Sequence, residues 1–208
     1  DTFTITADSI TIMGVDSTVS IIDFLDSTSV SAQDGFCASN RVNLLIKNIK
    51  IKNANNGIWF RNTDSSVLMN LFIEHTGING IFVDNGSETN LLINITASNN
   101  NSGIRLTSAS NNIIERNQNL TNSGNGILLI SSNYNKVINN ISNNVSTGFY
   151  VWSSGNNRIE RNISTNNSSS GYLLGITCNN NILLDNVSSK NQSYGFWIQN
   201  TSNNNKFI

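Results

Sequence analysis

The sequence has no proline, a single histidine, two cysteines and two methionines in 208 residues. Proline cannot donate to a strand ladder, so its absence suits a body made of ladder-bonded strands and tight turns. His75 alone cannot build a Ser-His-Asp or Cys-His arrangement. The soft ligands Met13, Met69, Cys37, Cys178 and His75 are scattered along the chain rather than clustered as a copper site requires. No metal, cofactor or catalytic residue is therefore expected. Charge is sparse as well: 12 basic residues stand against 13 acidic ones, with no basic block or stripe. This removes the electrostatic case for nucleic acid or an anionic membrane as partner. No apolar run approaches the roughly 20 residues of a membrane-spanning helix, so the chain is not expected to span a membrane. Asp1-Thr2-Phe3-Thr4 does not begin a signal peptide.

Asparagine fills the space these absences leave. There are 41, all at or after Asn40, while the first 39 residues hold none and carry six of the 13 acidic residues. Residues 1–39 therefore read as an atypical N-terminal capping segment, and residues 40–208 as one continuous repeat domain. Within that domain a glycine followed by a bulky apolar residue recurs at Gly57-Ile58, Gly80-Ile81, Gly103-Ile104, Gly126-Ile127, Gly148-Phe149, Gly171-Tyr172 and Gly195-Phe196, in steps of 22 to 24 residues. Gly35-Phe36 is a weaker copy upstream.

Each repeat has three pieces. The first ends at an Asn (Asn48, Asn70, Asn94, Asn117, Asn140, Asn162, Asn186). The second alternates apolar and polar residues, as in Ile49-Lys50-Ile51-Lys52. The third is the glycine phrase with a Ser/Thr/Asn/Gly loop. Three short strands, each closed by a turn, are too few residues for a helix plus a strand and too many for one hairpin. Stacked coils of about 22–24 residues place each strand beside its equivalent at about 4.8 Å. The expected fold is all-β: a single-stranded right-handed parallel β-helix with three sheets. The glycine fits a turn needing positive φ or a close backbone approach, and turn Asn residues can form axial amide ladders.

The phrase N-x-x-I-x-x-N-x-I-x-x-N-x-x-x-G-I, with the opening ITADSITIMG, resembles the right-handed parallel β-helix repeat proteins of the pectin-lyase-like superfamily. These include the periplasmic protein of nitrous oxide reductase copper maturation, pectin-active enzymes and many archaeal surface proteins. The resemblance implies the fold along the whole chain and implies chemistry only weakly.

Alternation assigns the third strand Ile58 and Phe60, Ile81 and Val83, and their equivalents as inward residues. The outward column is then Trp59, Phe82, Arg105, Leu128, Tyr150, Leu173 and Trp197, with Trp152 one pleat on. All three tryptophans of the chain are thereby expected on one outer face, a stripe suited to lateral binding or assembly. The second sheet's outward column is read as solvated and includes Asn119, Ser142, Ser164 and Ser188. The first sheet's is read as mixed, apolar at Ile46, Leu68, Met69, Leu92 and Ile93 and suited to receive the N-terminal segment, with surface Glu-Arg pairs at Glu115-Arg116 and Glu160-Arg161 further along. Carboxylates disperse on this register, and none of the acidic motifs of pectin-active relatives is present, so the chain is expected not to be an enzyme.

Cys37 and Cys178 lie six coils, about 29 Å, apart, beyond the about 7 Å Cα separation a disulfide tolerates. They are expected as free thiols or as bridges between neighbouring molecules. Asn85, Asn119 and Asn200 are the sequons expected to be exposed for glycosylation, whereas Asn94, Asn140, Asn162 and Asn186 are read as inward ladder residues. Asn205-Lys206-Phe207-Ile208 begins another repeat. That leaves either a piece of a longer protein or a coil end able to pair with another subunit.

Two functions lead, with a phage or adhesin-type fibre a distant third. The first is a noncatalytic structural protein of an extracellular layer, sheath or filament, self-associating as a homopolymer or with other surface-layer subunits. The second is a carbohydrate-binding or polysaccharide-cleaving β-helix, with Trp59, Tyr150, Trp152 and Trp197 stacking on sugars. Both place the chain outside the cell or on its surface.

Overall fold

The structure is a computed structural model that describes residues 2–24 and 33–208. Among these residues every regular element is a β-strand, and the strands fall into three parallel sheets. In each repeat the first sheet takes a strand such as Leu45–Lys47, the second one such as Lys50–Lys52, and the third one such as Asn56–Asp64. Every strand pairs with its equivalent one coil away, so that Ile81 lies between Ile58 and Ile104. This is the three-sheet parallel β-helix expected from the period. Phe3–Ile5, Thr11–Met13 and Ile21–Asp23 contribute one strand to each sheet. The N-terminal segment thus stacks as a coil instead of lying across the first sheet's outer face. The stretch between Leu25 and Gly35, whose Ser, Thr and Asp content reads as a loop by composition, falls mostly outside the described residues.

The core is a column of apolar side chains from all three sheets, including Ile46, Leu68 and Leu92 from the first, Ile51 and Ile73 from the second, and Ile58, Phe60, Ile81 and Val83 from the third. Aromatic rings join it in early and late coils alike, at Phe36 and Phe60 and again at Phe149 and Tyr172. Phe149, Tyr172 and Phe196 stack with centroids 4.9 and 4.7 Å apart, and the Tyr172 hydroxyl donates to the Asn162 carbonyl at 2.7 Å. Burial pushes the Tyr172 phenol well above its ordinary pKa.

Two properties of asparagine build the corners. Asn enters the left-handed region more readily than most residues, and it dominates the non-glycine positive-φ positions, at Asn48, Asn70, Asn94, Asn139 and elsewhere. Its amide also reaches along the axis. Asn117 N donates to Asn140 Oδ1 at 2.9 Å, Asn140 N to Asn162 Oδ1 at 2.8 Å, and Asn140 Nδ2 to the Ile114 carbonyl at 2.9 Å. A second buried ladder runs from Ser66 through Asn90, Asn112, Asn135, Asn157 and Asn181 to Asn205.

The two uses fall on adjacent residues, and this displaces part of the sequence reading by one position. Asn48, Asn70 and Asn94 are the left-handed corner residues and lie outside the core, linked by their own amide ladder at 3.0 and 2.8 Å. Asn94 is therefore not an inward ladder residue, and in the early coils the inward place belongs to Ile49, Leu71 and Ile95. From Asn117 onward the inward place is Asn, and Arg116, Asn139, Arg161 and Asp185 take the corner. By the same slip Ile46, Leu68 and Leu92 point inward rather than out.

On the second sheet Asn119, Ser142 and Ser164 are fully buried, not solvated, and Ser188 shares their column. The glycine phrase explains why. A Cβ at Gly126, Gly148 or Gly171 would come within 1.9 to 2.0 Å of the Oγ of Ser142, Ser164 or Ser188. Close approach of the third sheet to the second, rather than positive φ, is what each of these glycines supplies. No side chain larger than hydrogen fits at these glycine positions without displacing its neighbour.

Replacing Asn140 by Ala removes the acceptor of the Asn117 N–H inside the core. An unpaired buried donor costs about 1–3 kcal/mol, so urea unfolding of Asn140→Ala should show that loss. Exposed Asn200→Ala should stay within about 0.5 kcal/mol of the parent.

Candidate functional site

The outer face of the third sheet carries two columns in register. One runs Cys37, Trp59, Phe82, Arg105, Leu128, Tyr150, Leu173 and Trp197. The other runs Ser39, Arg61, Asp84, Thr107, Ile130 and Trp152. Large side chains at about 4.8 Å spacing must stack or splay. Trp59 and Phe82 stack, with centroids 6.0 Å and planes 12° apart. The Arg105 guanidinium lies over Phe82 at 5.2 Å and that of Arg61 over Trp59 at 6.0 Å. Phe82 is thus sandwiched along the axis. At this end the aromatic faces are already occupied, and the rings position charged groups instead of offering platforms for sugars.

What they position is a carboxyl. Trp59 Nε1 donates to Asp84 Oδ1 at 3.2 Å, and Arg105 Nε is tied to Thr107 Oγ1 at 3.1 Å. Burial raises the Asp84 pKa above its ordinary value. The Trp59 hydrogen bond and the positive charges of Arg61 and Arg105 oppose that rise without cancelling it. The result is a carboxyl reluctant to ionise, beside two guanidiniums turned toward rings, on a face where Arg61 is exposed and Asp84 and Arg105 half-buried. Such a group can exchange a proton with a bound ligand, and the guanidiniums can hold an anionic substituent. The sequence reading dispersed the carboxylates and missed this cluster. The signal was present: Arg61 and Asp84 both stand four residues after the phrase glycine in consecutive repeats, and parallel stacking makes such residues neighbours.

The far end of the face differs. Tyr150 and Trp152 meet edge-on, with centroids 5.8 Å apart, and the Trp152 ring lies on Gly175, where a Cβ would be 2.6 Å from its Cε3. Trp197 packs against Tyr194 with centroids 5.0 Å apart. Leu128 and Leu173 are only 8% and 7% exposed. Each lies between larger neighbours in its column, so the expected stripe is interrupted at these two positions.

Other expected positions sort by burial. Asn85 and Asn200 are exposed, whereas Asn119 is fully buried against Gly103 and cannot take a glycan in the folded chain. Cys178 is fully buried as well, its thiol donating to the Val151 carbonyl at 3.1 Å. It fills the inward loop position that Ser132 and Ser154 hold in earlier coils, so it cannot bridge to another molecule. Cys37 is half-buried beside Trp59. Burial, and then the negative charges of Asp34 and Asp84, push its thiol pKa up. Elsewhere charges pair at or near the surface: Lys50 with Glu74 at 2.7 Å, Lys52 with Asp23 at 2.8 Å, Arg116 with Glu115 at 3.1 Å, and Arg158 and Arg161 with the buried Glu160. No three His, Cys, Asp or Glu side chains converge as a metal site among the described residues.

The sequence matches the family described as right-handed β-helix region over residues 4–140 and 79–208. The chain belongs to this family. No curated protein matches it. Among solved structures it is similar to a mutant of a periplasmic alginate epimerase, at 17% identity and a TM-score of 0.73, covering 84% of this chain and 48% of that one. A pectate lyase matches at 17% identity and 0.64, covering 98% and 68%. An alginate lyase from Paenibacillus sp. matches at 15% identity and 0.62, covering 97% and 89%. The chain spans about half the length of the epimerase structures it matches. At these identities the likeness is one of fold. Even so, it overturns the expectation that the chain is not an enzyme, because these similar structures are enzymes named for polysaccharide substrates. It gives no support to a sheath or filament role.

The two thiols make a direct check on the inside and outside of this face. Maleimide labelling followed by mass spectrometry should modify Cys37 alone in the native chain, slowly at neutral pH because its thiol is held protonated, and both cysteines after unfolding.

Proposed function

We propose that this β-helix binds an extended polysaccharide along the outer face of its third sheet and modifies it there, with Asp84 as the proton-transferring group and Arg61 and Arg105 as the holders of a carboxylate on the sugar. The observation that carries this reading is the Asp84 carboxyl, fixed by Trp59 Nε1 within the electrostatic reach of Arg61 and Arg105 on an accessible face. Removing a proton beside a sugar carboxylate builds negative charge on that carboxylate in the transition state. Two nearby guanidiniums lower the energy of that charge, and a base with a raised pKa takes the proton more readily than an ordinary surface carboxylate. The alginate epimerase, pectate lyase and alginate lyase that share the fold support this class of substrate. A place of action outside the cytoplasm agrees with the periplasmic location in the epimerase's name.

Asp84→Asn can still accept the Trp59 hydrogen bond. The variant should therefore bind oligosaccharides containing a uronic acid as the parent does, yet lose turnover by about 10²-fold or more, followed by double-bond absorbance or by NMR of the C5 configuration. Ionised Asp84 is the working form, so parent activity should climb with pH through a limb above the ordinary carboxylate range, and Asp84→Asn should lack that limb. Stability moves the opposite way. A raised carboxyl pKa means that the Asp84 contribution is full below the ordinary value and is lost as pH rises through the folded-state value, so at neutral pH the variant should be no less stable than the parent. Undiminished turnover by Asp84→Asn would overturn the assignment.

A further inference from the structure

The charges of the third sheet and its bordering loops are confined to one end. From Asp8 and Asp34 through Arg41, Arg61, Asp64, Asp84 and Glu88 to Arg105, the described ones all fall within residues 8–105. From Thr107 onward, no described carboxylate or cation stands on that face. Lys136, Arg158, Glu160 and Lys206 belong to strands of the first sheet. Arg161 and Asp185 turn its corner, and Lys190 sits at the corner that ends the second sheet. What the later coils present instead is Ile130, Tyr150, Trp152, Tyr194 and Trp197, with Tyr194 52% and Trp197 37% exposed. One face therefore has a charged half and an uncharged aromatic half, arranged along the axis.

Resting on the reading that this face holds a polysaccharide, we infer that its ligand is not a uniform polyuronate but a mixed glycan. An acidic sugar sits at Arg61, Asp84 and Arg105, and uncharged sugars run from there over Tyr150 and Trp152 to Trp197. The coil spacing of about 4.8 Å is close to the advance of one sugar in an extended chain, so a glycan laid along the axis meets roughly one coil per unit. A polyuronate in that position brings a carboxylate to every coil. On the later coils each of these carboxylates lies on an apolar surface without a cation, and a charge removed from water without a partner is costly. Uncharged sugars meet no such penalty, and their C–H faces suit exposed tryptophan and tyrosine rings. Discrimination against a uniformly acidic chain then comes from what the later coils lack.

Calorimetric titration of the chain with three oligosaccharides of about eight units tests this: homogalacturonan, a neutral xylo-oligosaccharide, and a xylo-oligosaccharide bearing one glucuronate. The expected order puts the mixed oligosaccharide at least about tenfold tighter than either of the others. Trp197→Ala, at an exposed position, should weaken the mixed ligand about fivefold or more and leave homogalacturonan unchanged. Ile130→Lys, which places a cation on the later coils, should tighten homogalacturonan. Homogalacturonan binding as tightly as the mixed ligand, or indifference to both substitutions, would overturn the inference and leave the proposed function standing. Failure of all three oligosaccharides to bind would overturn both.

Discussion

A backbone N–H in one coil donating to the side-chain oxygen of a buried Asn in the next is the interaction on which the rest of the molecule depends. Strand ladders alone fix neither which residue faces inward nor how coils align at their corners, because a slip of one residue keeps the hydrogen-bond count and turns every side chain to the other face. The amide ladders remove that freedom. An Asn inside a corner that loses its place leaves a donor and an acceptor unpaired in a dry core, at about 1–3 kcal/mol each. Glycine supplies the complementary constraint: the third sheet comes so near the second that a Cβ at Gly103, Gly126, Gly148 or Gly171 would collide with Asn119, Ser142, Ser164 or Ser188.

Register held this firmly is what turns residues about 23 positions apart into a site. Trp59, Phe82 and Arg105 can stack only because their coils align, and Asp84 meets Arg61 only because both stand at the same place in consecutive repeats. The stack in turn fixes the charged groups. Trp59 holds Asp84 through its indole N–H, and each arginine is drawn over a ring instead of closing on the carboxyl. An aromatic cluster that at first suggests a sugar platform is here the support for a carboxyl and two guanidiniums, and the more open rings lie several coils away at Tyr194 and Trp197.

The period, the three sheets and the inside and outside of the third sheet were legible in the sequence, because there bulky apolar residues alternate with others on a strict step of two. The corners were not, because one residue type serves two purposes there. Asn94 and Asn117 look equivalent by spacing from the strand, yet the first takes a left-handed backbone outside the core and the second an amide ladder within it. Ser142 and Ser164 escaped for a related reason, since a small polar residue reads as solvated unless the glycine facing it is known. Cys178 behaves as a buried stand-in for serine, which its loop position signalled once Ser132 and Ser154 were aligned with it. The Arg61 and Asp84 neighbourhood could have been read from their common offset after the phrase glycine. Counting carboxylates along the chain rather than across coils concealed it.

The most direct test of a carbohydrate site on this face is a crystal structure of Asp84→Asn soaked with an oligosaccharide containing a uronic acid. Sugar density should run along the helix axis over the third sheet, with the uronate carboxylate between Arg61 and Arg105 and the following units over Tyr150 and Trp152. Density confined to the first or second sheet, or a carboxylate bound away from both arginines, would contradict the site.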